Sequence, residues 1–212
     1  MSAPQSYYVP VDAGEAEFTE KRSRFLGHVR RVETEAEARA FLDEMRKKYY
    51  DARHNCWCYV LHEGGVVRYG DDGEPQGTAG QPMLNVFQRE GVENVVCVVT
   101  RYFGGVLLGA GGLTRAYAKS AKDALDAAGK ARMRLWSAVT VDCPYPMLER
   151  LKLLAATHGG MVEGTDFGAA VSVRILLPQE NAAGFDAALT ELSAGTMTAR
   201  REGERFLPGP RE

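Results

Sequence analysis

Hydrophobic residues recur along this chain with two different periods, and each period predicts one kind of element. Residues 53–62 alternate as a strand does, and residues 94–103 form an unbroken apolar, β-branched run typical of a buried strand. Apolar positions three and four residues apart follow Thr34 and recur over residues 113–125, which indicates amphipathic helices. Thr34 and Glu37 have the spacing of a capping box, so the first helix is expected to begin there. The pattern therefore predicts an α+β protein.

The second half of the chain has its own regular order of predicted strands and helices. Predicted elements follow one another over residues 135–203 in the order strand, helix, strand, strand, helix, strand. This order is that of a ferredoxin-like fold. We therefore predict two domains, residues 1–130 and a ferredoxin-like domain over residues 131–205, followed by a flexible tail of residues 206–212 that contains two prolines.

Charge and cysteine usage narrow the class of protein further. The 212 residues carry 26 Lys and Arg against 28 Asp and Glu, so generic coating of nucleic acid is disfavoured, although a local basic patch remains open. No apolar run approaches the length of a membrane span, and residues 1–12 lack the pattern of a signal peptide. Most of the four cysteines lie in apolar, strand-like runs, as reduced core cysteines do. We therefore expect a cytoplasmic protein with no membrane partner.

A glycine-rich segment between the buried strand and the next helix is the strongest candidate for chemistry. Its glycines are Gly104, Gly105, Gly109, Gly111 and Gly112. Glycine lets a ligand or another backbone approach closely, and the N–H groups at the start of the following helix suit a phosphate. Arg101, at the end of the strand, is placed to clamp such a phosphate with two parallel hydrogen bonds. Arg115, Lys119 and Lys122 recur on one face of the helix.

Known nucleotide fingerprints do not fit this segment. A Walker loop would end in Gly-Lys-Ser or Gly-Lys-Thr, and a dinucleotide motif begun at Gly109 fails at Thr114. We therefore predict that the segment binds a phosphate of RNA rather than a mononucleotide cofactor, and that the turn containing Lys21 and Arg24 extends the same basic surface. The alternative stays open that the glycines only form a tight crossover and that the cations are solvated surface residues.

A second group of polar residues lies in the loop of residues 71–82. It contains Asp71, Asp72, Glu74 and Thr78. Carboxylates this close together can bind a hard metal ion or supply acid–base chemistry, whereas Asp, Gly and Pro are also the residues of a rigid turn. No EF-hand spacing is present, and we interpret the loop as a turn scaffold or a contact for a partner.

His54, Cys56 and Cys58 share one face of a predicted strand and are potential zinc ligands. Alternate strand residues lie about 6.6 Å apart, too far for all three to reach one ion through bonds of about 2.3 Å. We therefore predict no metal, no cofactor and no catalytic residue. His54 is interpreted as a hydrogen-bonded core residue, or as part of a partner contact with the loop of residues 71–82.

Taken together, these motifs resemble those of a known family. Residues 21–25, 52–56, 71–82 and 98–117 resemble, in the same order, the signature blocks of the IMPACT family, and residues 131–203 resemble the small C-terminal domain of its bacterial, two-domain members. The resemblance implies a left-handed β-α-β fold over residues 1–130, like a ribosomal small-subunit protein and domain IV of elongation factor G. It implies a second domain similar to domain V of that factor.

The resemblance also implies a role near the ribosome. We predict a translation-associated regulatory protein that binds RNA or the ribosome, or a protein of the translation machinery, through the glycine-rich segment. One alternative is an enzyme acting on a phosphorylated or peptide-like small molecule, with His54, Asp71, Asp72 and Glu74 as acid–base groups. Another is a protein-only adaptor that uses Trp57, Tyr102 or residues 71–82 as contacts. The eukaryotic role of restraining a starvation-sensing kinase is not carried over, because the docking domain for it has no counterpart in these residues.

Overall fold

The computed structural model describes residues 6–212, which form two compact units. The first unit comprises Ser6–Arg132 together with Pro208–Glu212, and the second comprises Met133–Leu207. Residues 1–5, which belong to the predicted first domain and to the segment expected not to be a signal peptide, lie outside the described residues. The α+β class and the two-domain architecture are confirmed.

The first unit contains most of the strands and helices. In chain order they are β1 (Tyr8–Pro10), β2 (Gly14–Glu20), β3 (Ser23–Arg31), α1 (Glu35–Lys48), β4 (His54–Leu61), β5 (Val66–Gly70), α2 (Gly80–Glu90), β6 (Val95–Tyr102) and α3 (Ala110–Ala128). A sheet in the order β2-β3-β6-β4-β5, antiparallel at each of these pairings, is its middle layer. Helices α2 and α3 pack on one face and α1 on the other, so the unit has three layers.

The two faces of the inner strands β4 and β6 contact different helices, as the alternation of strand side chains requires. Cys56, Cys58 and Cys97 belong to the core beneath α2 and α3, whereas Tyr59 and Val98 belong to the core beneath α1. Because both faces are covered, these strands have the nearly continuous apolar sequence from which they were predicted.

Helix α1 begins at the predicted cap. The Glu37 N–H donates to Thr34 Oγ1 (3.2 Å), and the Glu37 carboxylate accepts from the Thr34 N–H in return, which confirms the capping box. Its apolar face buries Ala38, Phe41 and Met45 against the sheet. Burying a side chain as large as that of Phe41 stabilises the unit by about 1.5–3 kcal/mol.

The second unit has the predicted ferredoxin-like order. Its elements are β7 (Lys130–Cys143), which begins in the first unit, α4 (Leu148–Thr157), β8 (Met161–Phe167), β9 (Val171–Pro178), α5 (Ala182–Ser193) and β10 (Ala199–Pro208). The strands lie in the order β10-β7-β9-β8, and Leu151 of α4 and Phe185 and Leu189 of α5 pack on the sheet. The ferredoxin-like prediction is therefore confirmed, while the likeness to the elongation factor stays a prediction.

Two predicted boundaries are corrected by the structure. Helix α3 begins at Ala110, so Gly111 and Gly112 lie in its first turn and not in the preceding loop. Residues 206–212 were expected to be a flexible tail, but β10 extends to Pro208, and residues 209–212 hydrogen-bond to the chain around β7. The pairings of residues 206–212 join positions that are distant in sequence, so no local sequence pattern indicates them.

Among residues 6–212, no helix combines the length and the apolar character needed to cross a membrane.

Candidate functional site

The glycine-rich segment and the acidic segment face each other across one cleft. The cleft has a volume of about 350 Å³ and lies between residues 103–109, the glycine loop, and residues 71–79, the acidic loop. Its lining residues are Arg53, His54, Glu74, Pro75, Arg101, Phe103, Leu107, Leu108, Gly109, Ala110 and Leu113. The fold thus brings together two groups that the sequence presents separately.

Arg101 is buried beside this cleft and is already paired. Its Nη1 donates to Glu74 Oε1 (2.6 Å), and the two side chains are only 6% and 4% exposed. Its Nη2 donates to Ser23 Oγ (3.3 Å), and the Tyr117 hydroxyl donates to the same oxygen of Glu74 (2.8 Å). The expectation that Arg101 clamps a phosphate with two hydrogen bonds is therefore corrected, because its guanidinium is already paired with the carboxylate of Glu74, which lies far away in sequence.

Burial keeps the neighbouring groups of this network protonated. It is the largest cause that raises the pKa of the Tyr117 hydroxyl far above its ordinary value, so Tyr117 stays a donor. Burial likewise raises the pKa of the Cys56 thiol, which donates to the carbonyl oxygen of Asp71 (2.9 Å). A thiol held in this state is a structural group rather than a nucleophile.

The Asp71 carboxylate caps helix α2. One oxygen accepts from the N–H groups of Ala79 (3.1 Å) and Gly80 (2.8 Å), and the other accepts from Gly77 N–H (2.7 Å). Helix α2 begins at Gly80, where its dipole favours a negative charge. The Asp71 carboxylate thereby ties the acidic loop to the start of the helix that follows it.

The remaining acidic-loop residues are also engaged in local structure. Asp72 Oδ2 accepts from Asn55 N–H (2.7 Å), and Thr78 Oγ1 donates to the carbonyl oxygen of Pro75 (2.6 Å). Thr78 is buried. Within residues 6–212, no group of three or more His, Cys, Asp or Glu side chains is placed to hold a metal ion.

His54 differs from these residues because one of its ring nitrogens remains available. Its Nδ1 lies 2.9 Å from the carbonyl oxygen of Asp72. A carbonyl oxygen only accepts, so Nδ1 carries the proton and Nε2 of the neutral ring is an acceptor. Since His54 is half-buried and lines the cleft, the expectation of a core residue is only partly correct.

The N-terminus of helix α3 opens on the same cleft. Gly109, at φ 72°, precedes the helix without a side-chain cap, and the first turn contains no acidic residue. The N–H groups of Ala110, Gly111 and Gly112 have no partner in a preceding turn, and they lie at the positive end of a helix of 19 residues. This arrangement suits an anion.

The turn between β2 and β3 packs against the glycine loop. A Cβ on Gly104 would lie 2.0 Å from the backbone carbonyl of Arg22, so only glycine allows this approach. A second cavity of about 160 Å³ lies beside the turn, and Lys21, Arg115 and Lys119 line it. The turn and helix α3 therefore present cations on one continuous surface beside the glycine loop.

The cations of this surface differ in whether a carboxylate neutralises them. Arg24 pairs with Glu17 (2.8 Å), and Lys119 and Lys122 pair with acidic residues one turn further along α3. Lys21, Arg22, Arg53 and Arg115 are exposed and have no carboxylate partner among residues 6–212. Of the predicted basic residues, Lys21 and Arg115 are thus the ones whose charge is uncompensated.

Several residues of this surface were not predicted from the sequence. Arg53 lies inside a segment that was singled out, but nothing in the sequence distinguished it from a solvated cation, whereas Arg22 belongs to the turn that was expected to extend the basic surface. Phe103 and Leu107 are 49% and 82% exposed, and they line the cleft. The signal that could have identified them is a run of large apolar residues inside a glycine-rich loop, where no helix or strand can bury them.

Two protein-family models together match most of the chain. The model of the Impact N-terminal domain matches residues 21–125, and that of a domain of unknown function (DUF1949) matches residues 141–196. The first match contains the glycine loop, the acidic loop and the cations described above.

Individual relatives match over nearly their whole length. The chain is 36% identical over 200 residues to the IMPACT family member YvyE of Bacillus subtilis (strain 168), covering 94% of this chain and 92% of that protein. It is 35% identical over 180 residues to the IMPACT family member YigZ of Escherichia coli (strain K12), covering 84% and 88%. A solved structure described as that of a hypothetical protein matches with a TM-score of 0.59 and 32% identity, covering 94% of this chain and 97% of that one.

Proposed function

The chain belongs to the IMPACT family, and on that premise we propose that it is a translation-associated protein that binds RNA, alone or in the ribosome, through the surface around its glycine loop. A cytoplasmic location, where thiols stay reduced, is part of this proposal. The free and buried state of Cys56, Cys58, Cys97 and Cys143 supports it.

The clustering of uncompensated cations is the observation that carries the proposal. Lys21 and Arg22 form the β2–β3 turn, Arg115 lies in α3, and Arg53 lines the cleft. The net charge of the whole chain is −2, so this surface is a local exception. Cations that are not neutralised by a carboxylate release counterions from a phosphate backbone, which is the main source of non-specific affinity for nucleic acid.

An enzymatic function has less support from the same site. Of the groups that would supply acid–base chemistry, the carboxylates of Asp71 and Asp72 accept from backbone N–H groups, and that of Glu74 accepts from Arg101 and Tyr117. A base must be free to take a proton from a substrate. Each of these carboxylates is already engaged in structural hydrogen bonds, and the available ring nitrogen of His54 does not by itself define a reaction.

We expect co-sedimentation with ribosomes to fall with salt and to depend on Lys21 and Arg115. In the variant Lys21→Ala/Arg115→Ala, the slope of log affinity against log salt should become shallower by about 1.4–1.8, because each lost phosphate contact contributes about 0.7 on single strands and about 0.9 on a duplex. Arg101 is unsuitable for this test, since its removal would leave Glu74 unpaired and confound binding with unfolding.

The matched control is Lys47→Ala/Arg68→Ala, which removes the same charge from the side of the sheet that α1 covers. Both residues are exposed; Lys47 lies in α1, and Arg68 lies in a groove beside that helix. This variant should bind as the wild type does. Equal losses in the two variants would mean that binding follows net charge and would reject the assignment to the glycine loop.

A further inference from the structure

We propose that the cleft between the glycine loop and the acidic loop holds one unpaired nucleotide of a single-stranded RNA, an inference that rests on the RNA binding proposed above. The free cations around the cleft account for attraction to any phosphate backbone. They do not account for a concave, partly apolar site in the middle of a basic surface, which points to a more specific occupant.

The size of the cleft fits a single nucleotide. Its volume of about 350 Å³ is at the lower end of the roughly 300–1,000 Å³ that small ligands occupy in proteins. In a duplex the bases are stacked and paired in the interior, so a duplex would present only its phosphate ridges to such a site. Single strands and loops can turn a base outward, and proteins that read RNA sequences mostly recognise bases of this kind.

Phe103 supplies an aromatic surface for the base. It is 49% exposed at the edge of the cleft, and the guanidinium of Arg101 lies 5.4 Å from its ring centroid. Contact with the buried guanidinium orients the ring, while the exposed half remains free to stack. Stacking on aromatic side chains is a principal source of affinity for single strands, and it tolerates any base.

Other residues that line the cleft supply groups for the phosphate. The uncapped N-terminus of α3 presents the N–H groups of Ala110 and Gly111, and Arg53 adds an exposed guanidinium. A second observation also indicates a ligand here. Arg101, which lines the cleft and whose side chain is 6% exposed, has an Nε–H with no acceptor among residues 6–212. Buried donors of charged groups are normally satisfied.

His54 supplies an acceptor on the same cleft. Its Nδ1–H is held by the Asp72 carbonyl oxygen, so its Nε2 accepts. In a nucleotide, the matching donors are the ribose 2′-hydroxyl and the amino groups of the bases. The cleft therefore combines a stacking surface, an anion site and an acceptor within the space of one nucleotide.

Fluorescence anisotropy with a short unstructured RNA, and with the same strand annealed to its complement, tests this inference. We expect wild-type protein to bind the single strand more tightly than the duplex. Phe103→Leu should weaken single-strand binding by roughly 5- to 150-fold and leave duplex binding unchanged, because only an unpaired base reaches the ring. Phe103→Tyr keeps the ring and should restore single-strand binding.

Tyr50→Leu is the matched control, since Tyr50 is 85% exposed and does not line the cleft. It should bind both RNAs as the wild type does. If wild type binds single strand and duplex equally, or if Phe103→Leu weakens both alike, the nucleotide site is rejected while RNA binding stands. If wild type binds neither RNA, this inference fails, and the co-sedimentation with ribosomes decides separately whether the proposed function stands.

Discussion

At the scale of single residues, the ion pair of Arg101 and Glu74 joins the two loops of the candidate site. Glu74 belongs to the acidic loop, and Arg101 lies at the end of β6, directly before the glycine loop. Both charges are almost fully buried, so their attraction must offset a large loss of hydration. Such a pair adds little net stability as a unit, but the loss of one partner is costly because a buried charge is left alone.

Glu74→Gln is therefore expected to lower the free energy of unfolding by about 3–5 kcal/mol, because it leaves the Arg101 guanidinium without a counter-charge. The double variant Arg101→Met/Glu74→Gln removes both charges and should be less destabilised than Glu74→Gln alone. Urea unfolding of both single variants and the double variant measures the coupling between the two residues. Equal destabilisation by Glu74→Gln and the double variant would show that packing, and not charge, holds the loops.

At the scale of elements, the β2–β3 hairpin has a turn that its sequence does not favour. Its central residues, Lys21 and Arg22, adopt φ values of 45° and 67°. Two-residue hairpin turns with two positive φ angles prefer Asn-Gly, because a side chain with a Cβ is strained in this region. The strain amounts to about 1–2 kcal/mol per residue, and such strain tends to persist at functional sites.

Replacing the turn by Lys21→Asn/Arg22→Gly should act on stability and binding in opposite directions. The free energy of unfolding should rise by about 1–2 kcal/mol as strain is relieved. Affinity for RNA should fall because two uncompensated cations are lost. Chemical unfolding and the ribosome co-sedimentation assay measure the two effects.

The control for this prediction is Lys21→Ala/Arg22→Ala, which loses the charges but keeps the strain. It should weaken RNA binding to a similar extent without any gain in stability. A hairpin that is no more stable with Asn-Gly would show that the native turn carries no strain.

Elements with local signals were predictable from the sequence, and those fixed by distant partners were not. Helix α1 has its capping box and apolar face within one segment, and the inner strands have continuous apolar runs. The start of α3 was predicted too late, because glycine disfavours a helix interior but is tolerated in a first turn, where the N–H groups lack intrahelical partners. In the site, the pairing of Arg101 depends on Glu74, which no local pattern reveals.

At the scale of the whole molecule, the chain leaves the first unit after Arg132 and returns to it at Pro208. Gly209 N–H donates to the carbonyl oxygen of Arg132 (2.9 Å), and Glu212 N–H donates to that of Lys130 (2.8 Å). Arg211 adds a bond to the carbonyl oxygen of Ala127 (2.9 Å). The last residues of the chain are therefore part of the fold that contains the candidate site.

A variant that lacks residues 209–212 should have a free energy of unfolding lower by about 1.5–4.5 kcal/mol, since three hydrogen bonds of about 0.5–1.5 kcal/mol each are lost. Arg211→Ala, which removes only one of the backbone contacts, should account for part of this effect. Urea unfolding followed by tryptophan fluorescence measures both. Unchanged stability after the deletion would mean that these residues do not contribute to the first unit.

The hydrogen bond between Gly209 and Arg132 also bears on how the coding sequence of such a chain can be cut and rejoined. Since the points where the chain departs and returns are joined by one backbone contact, residues 133–207 are a cassette inserted into the first unit and not an appendage to its end. A gene cut at codon 132 would encode a first unit that lacks one of its own pieces. Excision of residues 133–207 with the two ends rejoined would leave that unit complete, and the site with it.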